Sequence, residues 1–335
     1  MTSPQRHRPA ARIVANGQDI TTRLLDDSEK RVLVSLTVTD EAGIKADGLE
    51  LTIDNRDRFE VPPIGSEIEV WLGYEPAPVR MGLYRLDSWE MSGPPNVLTL
   101  SASSAELTTA IKGQKTRSWH DTTLGAIVRA IAGQHGLGVL IPDELAGRPM
   151  EHIDQQTESD LNFLSRLASR NGAVFKLADG KVLFTPKGAS VTAAGEPKPD
   201  LTVVPAMVAS WSVTESERGG HQSVVCHWMD HHAGKRKSVT VGEGKPVRRD
   251  KRLYRTEEEA RAAAQATLGD LRRGKRDATL EMAGNTDVFA ESDLTMRGFH
   301  GNVDGRYGVK SVSHTFDSSG FRTSVSLEVG GDGGA

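Results

Sequence analysis

Cysteine occurs once in the 335 residues, as Cys226. A single thiol excludes intrachain disulfides and any zinc cage built from cysteines, and it suits a reducing compartment. Long apolar runs are missing as well, and nothing approaches the roughly 18–20 residues a membrane helix needs. The first residues, Met1 to Arg12, are basic and contain proline but lack the apolar core of a signal peptide, so neither export nor a membrane anchor is expected. No sign of charge dominates: 41 Lys+Arg against 45 Asp+Glu leave a net charge of −4. Aromatic residues are scarce at 5%. Several catalytic signatures are absent: no phosphate loop GxxxxGK[ST], no GxGxxG after a strand, no HExxH and no GxSxG elbow. Glycine is abundant, with 34 residues against a usual frequency of about 7%. Many turns between short apolar stretches argue for a β-rich chain. At roughly 100–200 residues per domain, the length suggests two or three domains.

The first hundred residues alternate with period 2. Val32, Val34, Leu36 and Val38 interleave with Leu33, Ser35, Thr37 and Thr39. Leu49, Leu51 and Ile53 follow, then Ile68, Val70 and Leu72, then Leu83–Leu86 and Val97–Leu100 around Ser92-Gly93-Pro94-Pro95. Strands joined this closely imply an antiparallel barrel or sandwich. Near residue 118 the period changes. Leu124, Ile127, Val128 and Ile131 fall on one helical face, with Asp121 or Thr122 as cap and Gly136 as stop. A second helix is expected from about Glu158 to Arg170, opened by a Thr157/Asp160 capping box and closed by Asn171-Gly172. A hairpin around Asp179-Gly180 joins Val174–Leu177 to Val182–Thr185. The last third returns to strands around one helix, capped by Thr256 and Glu259, with an alanine-rich face from Ala260 to Leu271.

The two strand regions resemble each other. Val34–Asp40 matches Ala209–Glu215 almost residue for residue, and each is expected to lead into a second strand, Gly48–Ile53 and Gln222–Trp228 respectively. Tyr84–Trp89 aligns with Tyr307–Val312, and Leu98–Ser101 with Val325–Glu328. The expected fold is therefore a β-rich α+β chain, two tube-like antiparallel β-barrels with a small α/β module between them. The expected divisions are a tail (1–12), a first barrel (13–112), the module (113–187), a linker (188–200), a second barrel (201–330) carrying an inserted basic loop and helix at about 235–274, and a flexible tail (331–335).

Two clusters carry residues capable of chemistry. His221, Cys226, His227, His231 and His232 have metal-ligand chemistry, but alternation along a strand sends Cys226 and His227 to opposite faces, so no metal is expected. The second cluster is basic: Lys235, Arg236, Lys237, Lys245, Arg248, Arg249, Lys251, Arg252 and Arg255 stand against Glu243 and Asp250, a local charge of +7. Only Tyr254 could stack a base there and no DNA-reading motif surrounds it, so a partner interface is the expected role and nucleic acid the lesser alternative. Self-repulsion predicts a loop that is mobile until assembly. Trp71 and Trp89 are expected in strand packing, and Trp119-His120 at a hydrophobic staple. No catalytic residue and no cofactor is expected.

Several stretches are familiar together: Trp71–Tyr74 with Met81-Gly82, Ser118–His120 before Thr123–Val128, Ile153–Gln155 through Glu158–Ala168 to Gly172-Ala173, Met296–Phe299, and Val312–His314. In this order the chain resembles the phage late control D family, the baseplate hub proteins of contractile tails, over nearly its whole length. The resemblance implies a non-enzymatic structural protein, similar to the hub part of type VI secretion spikes. It implies a homotrimer of two-barrel chains whose pseudo-sixfold ring joins a hexameric tail tube to a trimeric spike. The implied partners are further copies of the chain, the spike protein, the tube protein or tube initiator, other baseplate proteins and the tape measure protein. The implied place is the baseplate of a virion or tail-like particle, assembled in the bacterial cytoplasm. Two other classes, a tail-tip peptidoglycan-degrading enzyme and a nucleic-acid-binding regulator, are the alternatives.

Overall fold

The computed structural model describes residues 8–25, 32–42, 47–104, 109–178, 180–186, 201–215, 221–230, 233–273 and 276–329. The expected linker and the C-terminal glycines lie outside that set. The first part of the chain forms β1 (Pro9–Ala15), β2 (Gln18–Asp19), α1 (Thr21–Leu25), β3 (Leu33–Glu41), β4 (Gly48–Asp54), β5 (Glu67–Tyr74), β6 (Val79–Ser92) and β7 (Val97–Ser104). The middle contributes α2 (Thr109–Lys112), β8 (Gln114–Thr123), α3 (Leu124–Gln134), β9 (Gly138–Leu140), α4 (Asp143–Ala146), β10 (Pro149–Ser159), α5 (Asp160–Arg170), β11 (Ala173–Ala178) and β12 (Lys181–Pro186). The last part holds β13 (Leu201–Val203), a 3-10 turn at Pro205–Met207, β14 (Val208–Glu215), β15 (Ser223–Asp230), β16 (Lys235–Gly242), β17 (Val247–Tyr254), α6 (Glu257–Arg273), β18 (Arg276–Ala283), β19 (Asp293–Met296), β20 (Gly305–Asp317) and β21 (Gly320–Val329). The first strand starts at Pro9, inside the expected N-terminal tail.

The two β regions share one strand order. In the first, neighbours run β3-β4-β7-β6-β5-β1; in the second they run β14-β18-β21-β20-β19-β13. Even the irregularities match. A bulge falls between Leu33 and Ser35 and between Val208 and Ser210, and again between Leu86 and Ser88 and between Val309 and Ser311. A bulge sets two residues against one on the partner strand. This overturns the simple alternation in the first strand: Leu33, Leu36 and Val38 are buried, whereas Val34 is 46% exposed. The strand directions differ at one place, where β1 is antiparallel to β5 while β13 is parallel to β19.

The order also corrects one alignment. The counterpart of β4 is β18, not residues 222–228, since Leu36 faces Leu51 as Trp211 faces Leu280. Residues 222–228 belong instead to the insertion, where β16, β15 and β17 form a separate three-stranded sheet backed by α6.

The two halves are fused into one thirteen-stranded sheet by β3 and β20, paired antiparallel from Ser311↔Glu41 to Asp317↔Ser35. The β20–β21 hairpin then reaches over the first half. Its Phe316 and Phe321 join the apolar core of β1 and β3–β7, and Phe321 meets Tyr74 edge to face at 5.7 Å. Gly284 lies directly beneath Phe321, and a Cβ there would sit 1.9 Å from the ring, so only glycine fits that approach.

The module has its own core, in which Leu124, Ile127, Val128 and Ile131 meet Phe163, Leu164, Leu167 and Phe175. Its helices start later than expected. Thr123 accepts the Ala126 N–H at the head of α3, and Ser159, rather than Thr157, accepts the Asn162 N–H at the head of α5. The preceding residues are drawn into the β8–β10 ribbon, which uses the sequence up to each cap.

One buried ion cluster pins the module to the fused sheet. Lys176 on β11 pairs with Asp40 on β3 and stands 3.5 Å from Asp47. The Asp40 carboxylate also accepts the Ala290 N–H at 2.7 Å, tying in the second half. Burial opposes ionisation of Asp40, but the Lys176 charge and hydrogen bond and the Ala290 N–H hold its carboxyl below the usual range. Burial pushes Asp47 up to about 7; Lys176 opposes that shift and the nearby Asp40 reinforces it. A carboxyl with a raised pKa favours the fold while protonated, and that contribution fades as pH rises from the unfolded value towards about 7. Asp47→Asn is therefore expected to leave the melting midpoint unchanged near pH 5 and to raise it above pH 7. Lys176→Met, which strands two acids, is expected to cost about 3 kcal/mol near neutral pH. Thermal melting across pH checks both, and equal pH profiles for Asp47→Asn and the parent would refute the assignment.

Candidate assembly interface

All nine residues of the basic cluster are exposed, but they do not form a loop. Lys235, Arg236 and Lys237 begin β16, and Arg248, Arg249, Lys251 and Arg252 lie on β17, the two outer strands around β15. Lys245 is in the turn between them and Arg255 precedes α6. The expectation of a mobile loop fails for a packing reason. Val224, Cys226 and Val239 form one face of this sheet, and the small Ala260, Ala263 and Ala264 let α6 approach it closely. The Thr256 hydroxyl accepts the Glu259 N–H to start that helix, and Glu259 accepts the Arg255 N–H in return. The cations are thus mounted on a backed sheet.

Pairing groups the cations by position. The start of β16 lies beside the end of β15, where Trp228 also faces Tyr254 of β17. Lys237 sits over the Trp228 ring and bonds Asp230 at 2.7 Å. Arg248 and Arg249 pair with Val224 and Val225 at the opposite end. Asp250 is the acid within the patch. Burial opposes its ionisation, but the Arg252 N–H, the Tyr254 hydroxyl at 2.8 Å and the charges of Arg252 and Arg248 hold it below the usual range. The same bond, after burial, pushes the Tyr254 phenol upward. This arrangement suits charge complementarity with an acidic surface.

The His/Cys cluster does not converge. Cys226 is buried against α6, and burial pushes its thiol up to about 11. His227 pairs across to Leu253, and His231 and His232 lie outside the described residues. Among the described residues no three His, Cys, Asp or Glu side chains gather as a cation site.

Two polar clusters were invisible in the sequence because their members are far apart along the chain. In the first, Asp160 is fully buried and takes Lys115 and Arg117 at 2.5 Å, His135 at 2.8 Å and Gln155 at 2.9 Å. Burial pushes its carboxyl up, but these donors outweigh burial and keep it below the usual range. The second is a cross-strand ladder on β8 and β10: Ser118 donates to Asp154 at 2.6 Å, Asp154 meets His152 at 3.1 Å, and His152 meets His120 at 3.0 Å. Trp119-His120 is therefore not a helix staple. Both residues lie on β8, Trp119 inward against the module core and His120 outward to His152. Both clusters join β8 to distant elements and serve the module's own integrity.

Comparison with known proteins reads the whole chain in one way. The probable baseplate hub protein of Escherichia phage 186 is 31% identical over 366 aligned positions, covering 96% of this chain and 93% of that protein. The probable baseplate hub protein of Escherichia phage P2 is also 31% identical, with the same coverage. Among solved structures, the 43 kDa tail protein of prophage MuSo2 from Shewanella oneidensis has the same fold, with a TM-score of 0.70 at 15% identity over 97% of this chain and all of that one. The Escherichia coli c3393 protein, a type VI secretion component, matches with a TM-score of 0.58 at 10% identity, over 88% of this chain and 73% of that one. The sequence pattern of the phage tail baseplate hub (GPD) family matches residues 97–320, two thirds of the chain and most of the elements described above. The chain belongs to that family, the baseplate hubs of phage tails.

Proposed function

We propose that this hub works as a homotrimer and as a non-catalytic symmetry adaptor between the hexameric tail tube and the trimeric spike. The observation that carries the proposal is the doubled strand order with matching bulges, β3-β4-β7-β6-β5-β1 and β14-β18-β21-β20-β19-β13. A chain with two equivalent β units offers six of them in a trimer, so a sixfold ring can stack on one face and a threefold spike on the other. In this reading residues 13–112 and 201–330 are the ring units. The module, about 113–187, decorates the outside, because its helices would block a narrow channel. The tube protein or tube initiator, the spike, other baseplate proteins and the tape measure protein are the neighbours. Assembly takes place in the bacterial cytoplasm.

The basic sheet is the feature by which the two units differ most, since β15–β17 and α6 interrupt only the second. Two units in similar ring positions must diverge where their neighbours diverge. The patch therefore meets an acidic surface on an adjoining baseplate protein or subunit. Exposed ion pairs contribute about 0–1 kcal/mol each, so the patch guides docking and register more than it sets stability.

Two measurements check these readings. The mass in solution should be three times the 36.2 kDa chain, with a six-lobed ring in low-resolution images; a stable monomer in assembled particles would refute the trimer. Replacing Arg248, Arg249, Lys251 and Arg252 with Ser should change stability by no more than about 0.5 kcal/mol, while yields of complete particles fall, most steeply at high salt. Normal assembly with lost affinity for DNA would favour the nucleic-acid reading instead.

A further inference from the structure

We infer that copies of the chain join edge to edge, with residues 89–92 of β6 in one copy pairing antiparallel with β14 of the next, in the register that β20 and β3 use within the chain. This rests on the self-association proposed above and specifies its surface.

The joint inside the chain is the precedent. There the outer edge of β20, beyond its pairing with β19, is taken by β3: Val312 faces Asp40, Ser313 faces Thr39, His314 faces Val38 and Thr315 faces Thr37. The strand orders and bulges identify the counterparts of both partners. Tyr84 of β6 faces Ile68 as Tyr307 of β20 faces Leu294, and the bulge after Leu86 stands where the bulge after Val309 stands. Trp89, Glu90, Met91 and Ser92 therefore correspond to Val312, Ser313, His314 and Thr315. By the same reasoning Ser212, Val213, Thr214 and Glu215 of β14 correspond to Thr37, Val38, Thr39 and Asp40.

Neither counterpart edge is occupied among the described residues. Strand β6 pairs with β5 only up to Arg85, so from Ser88 to Ser92 it is bonded to β7 alone. Strand β14 ends the thirteen-stranded sheet, bonded to β18 alone. Such edges recruit further strands unless they are covered. The apolar residues on them are also abnormally exposed. Trp89 is 47% exposed, Met91 46% and Trp211 44%, whereas the residues in the equivalent places, Val312, His314 and Leu36, are at 0%, 1% and 0%. The in-chain joint covers the equivalent places, helped by the longer β20–β21 hairpin that brings Phe316 and Phe321 over them, whereas no strand covers these edges among the described residues.

The joint is heterotypic, since β6 of one copy meets β14 of another, so each copy offers one donor edge and one acceptor edge. Repetition then builds a closed ring or an open filament, not an isolated pair. In the register Trp89 faces Glu215, Glu90 faces Thr214, Met91 faces Val213 and Ser92 faces Ser212. The last pair repeats the contact between the Thr37 and Thr315 hydroxyls, 3.3 Å apart in the chain. Pairing stops there because the β6–β7 hairpin turns at Ser92↔Val97, two pairs earlier than the β20–β21 hairpin, which runs on through Phe316↔Phe321 to Asp317↔Gly320. Gly93-Pro94-Pro95 enforces that earlier turn.

Cysteine trapping in the full chain tests the register. Directly opposed residues on antiparallel strands lie within disulfide reach, and the native Cys226 is buried. The double variant Met91→Cys/Val213→Cys is expected to form covalent oligomers up to the ring under mild oxidation. Met91→Cys/Thr214→Cys, one residue out of register and therefore facing the opposite side, should give at least about tenfold less. Either single variant should give no ladder beyond a dimer. Oligomers of the same size without the 91–213 cross-link, or with equal yields from both pairs, would overturn this joint and leave the trimer standing. A chain that remains monomeric at every concentration, or one that cross-links through residue 91 only to a different baseplate protein, would overturn both. As an independent check, Trp89→Lys and Trp211→Lys should each shift the oligomer to monomer while the circular dichroism spectrum stays that of the parent, and unaltered oligomers in both would overturn the joint.

Discussion

Unpaired strand edges are the constraint on which the architecture turns. A curled antiparallel unit must end somewhere, and each end leaves a row of N–H and C=O groups without partners. Within this chain one such edge is satisfied by fusion, β20 of the second half against β3 of the first. The fusion does more than pair backbones. It sets His314 opposite Val38 and Phe316 opposite Leu36, and it brings the β20–β21 hairpin over the first half so that Phe316 and Phe321 complete that core. The two β regions are consequently not independent beads, because the first is finished by side chains from the second.

The seam is also where the module is held. Asp40 belongs to β3, faces Val312 across the joint, accepts an N–H from Ala290 and pairs with Lys176 of the module. One buried lysine with two acids thus links all three parts of the molecule, and burial drives the upward shift of Asp47. The polar networks inside the module, centred on Asp160 and on the His120–His152 ladder, work at shorter range and fix the β8–β10 ribbon to the helices and to itself.

Under the function proposed above, the duplicated strand order supplies repeated surfaces for a symmetric tube and the inserted sheet supplies a distinct one. Mounting seven of the nine cations on strands backed by α6, with Asp250 and Asp230 holding neighbouring side chains in place, presents charge in a fixed pattern rather than as a flexible tether. Fixed charge gives register at an interface, where a mobile loop would give only attraction.

Much of this was readable from residue order. Period-2 runs marked the strands, the Thr256/Glu259 pair marked the head of α6, Asp179-Gly180 marked the β11–β12 hairpin, and the match of Val34–Asp40 to Ala209–Glu215 revealed the duplication. These signals are local, set by backbone period, capping and turn chemistry, so they survive without the fold. What failed was pairing at a distance. The alignment of residues 222–228 with β4 was wrong because a strand's own pattern does not say which strand lies beside it, and an insertion of similar strands competes for the match. Val34 was misassigned because a bulge, invisible in composition, turns the strand by one residue. The basic residues read as a loop because charge repulsion argues for mobility, while the apolar residues that hold this sheet on α6 are few and scattered over β15, β16 and a helix further along the chain. Which edges were closed and which stayed open was decided only by the tertiary structure, since an edge is a property of neighbours in space and not of neighbours in sequence.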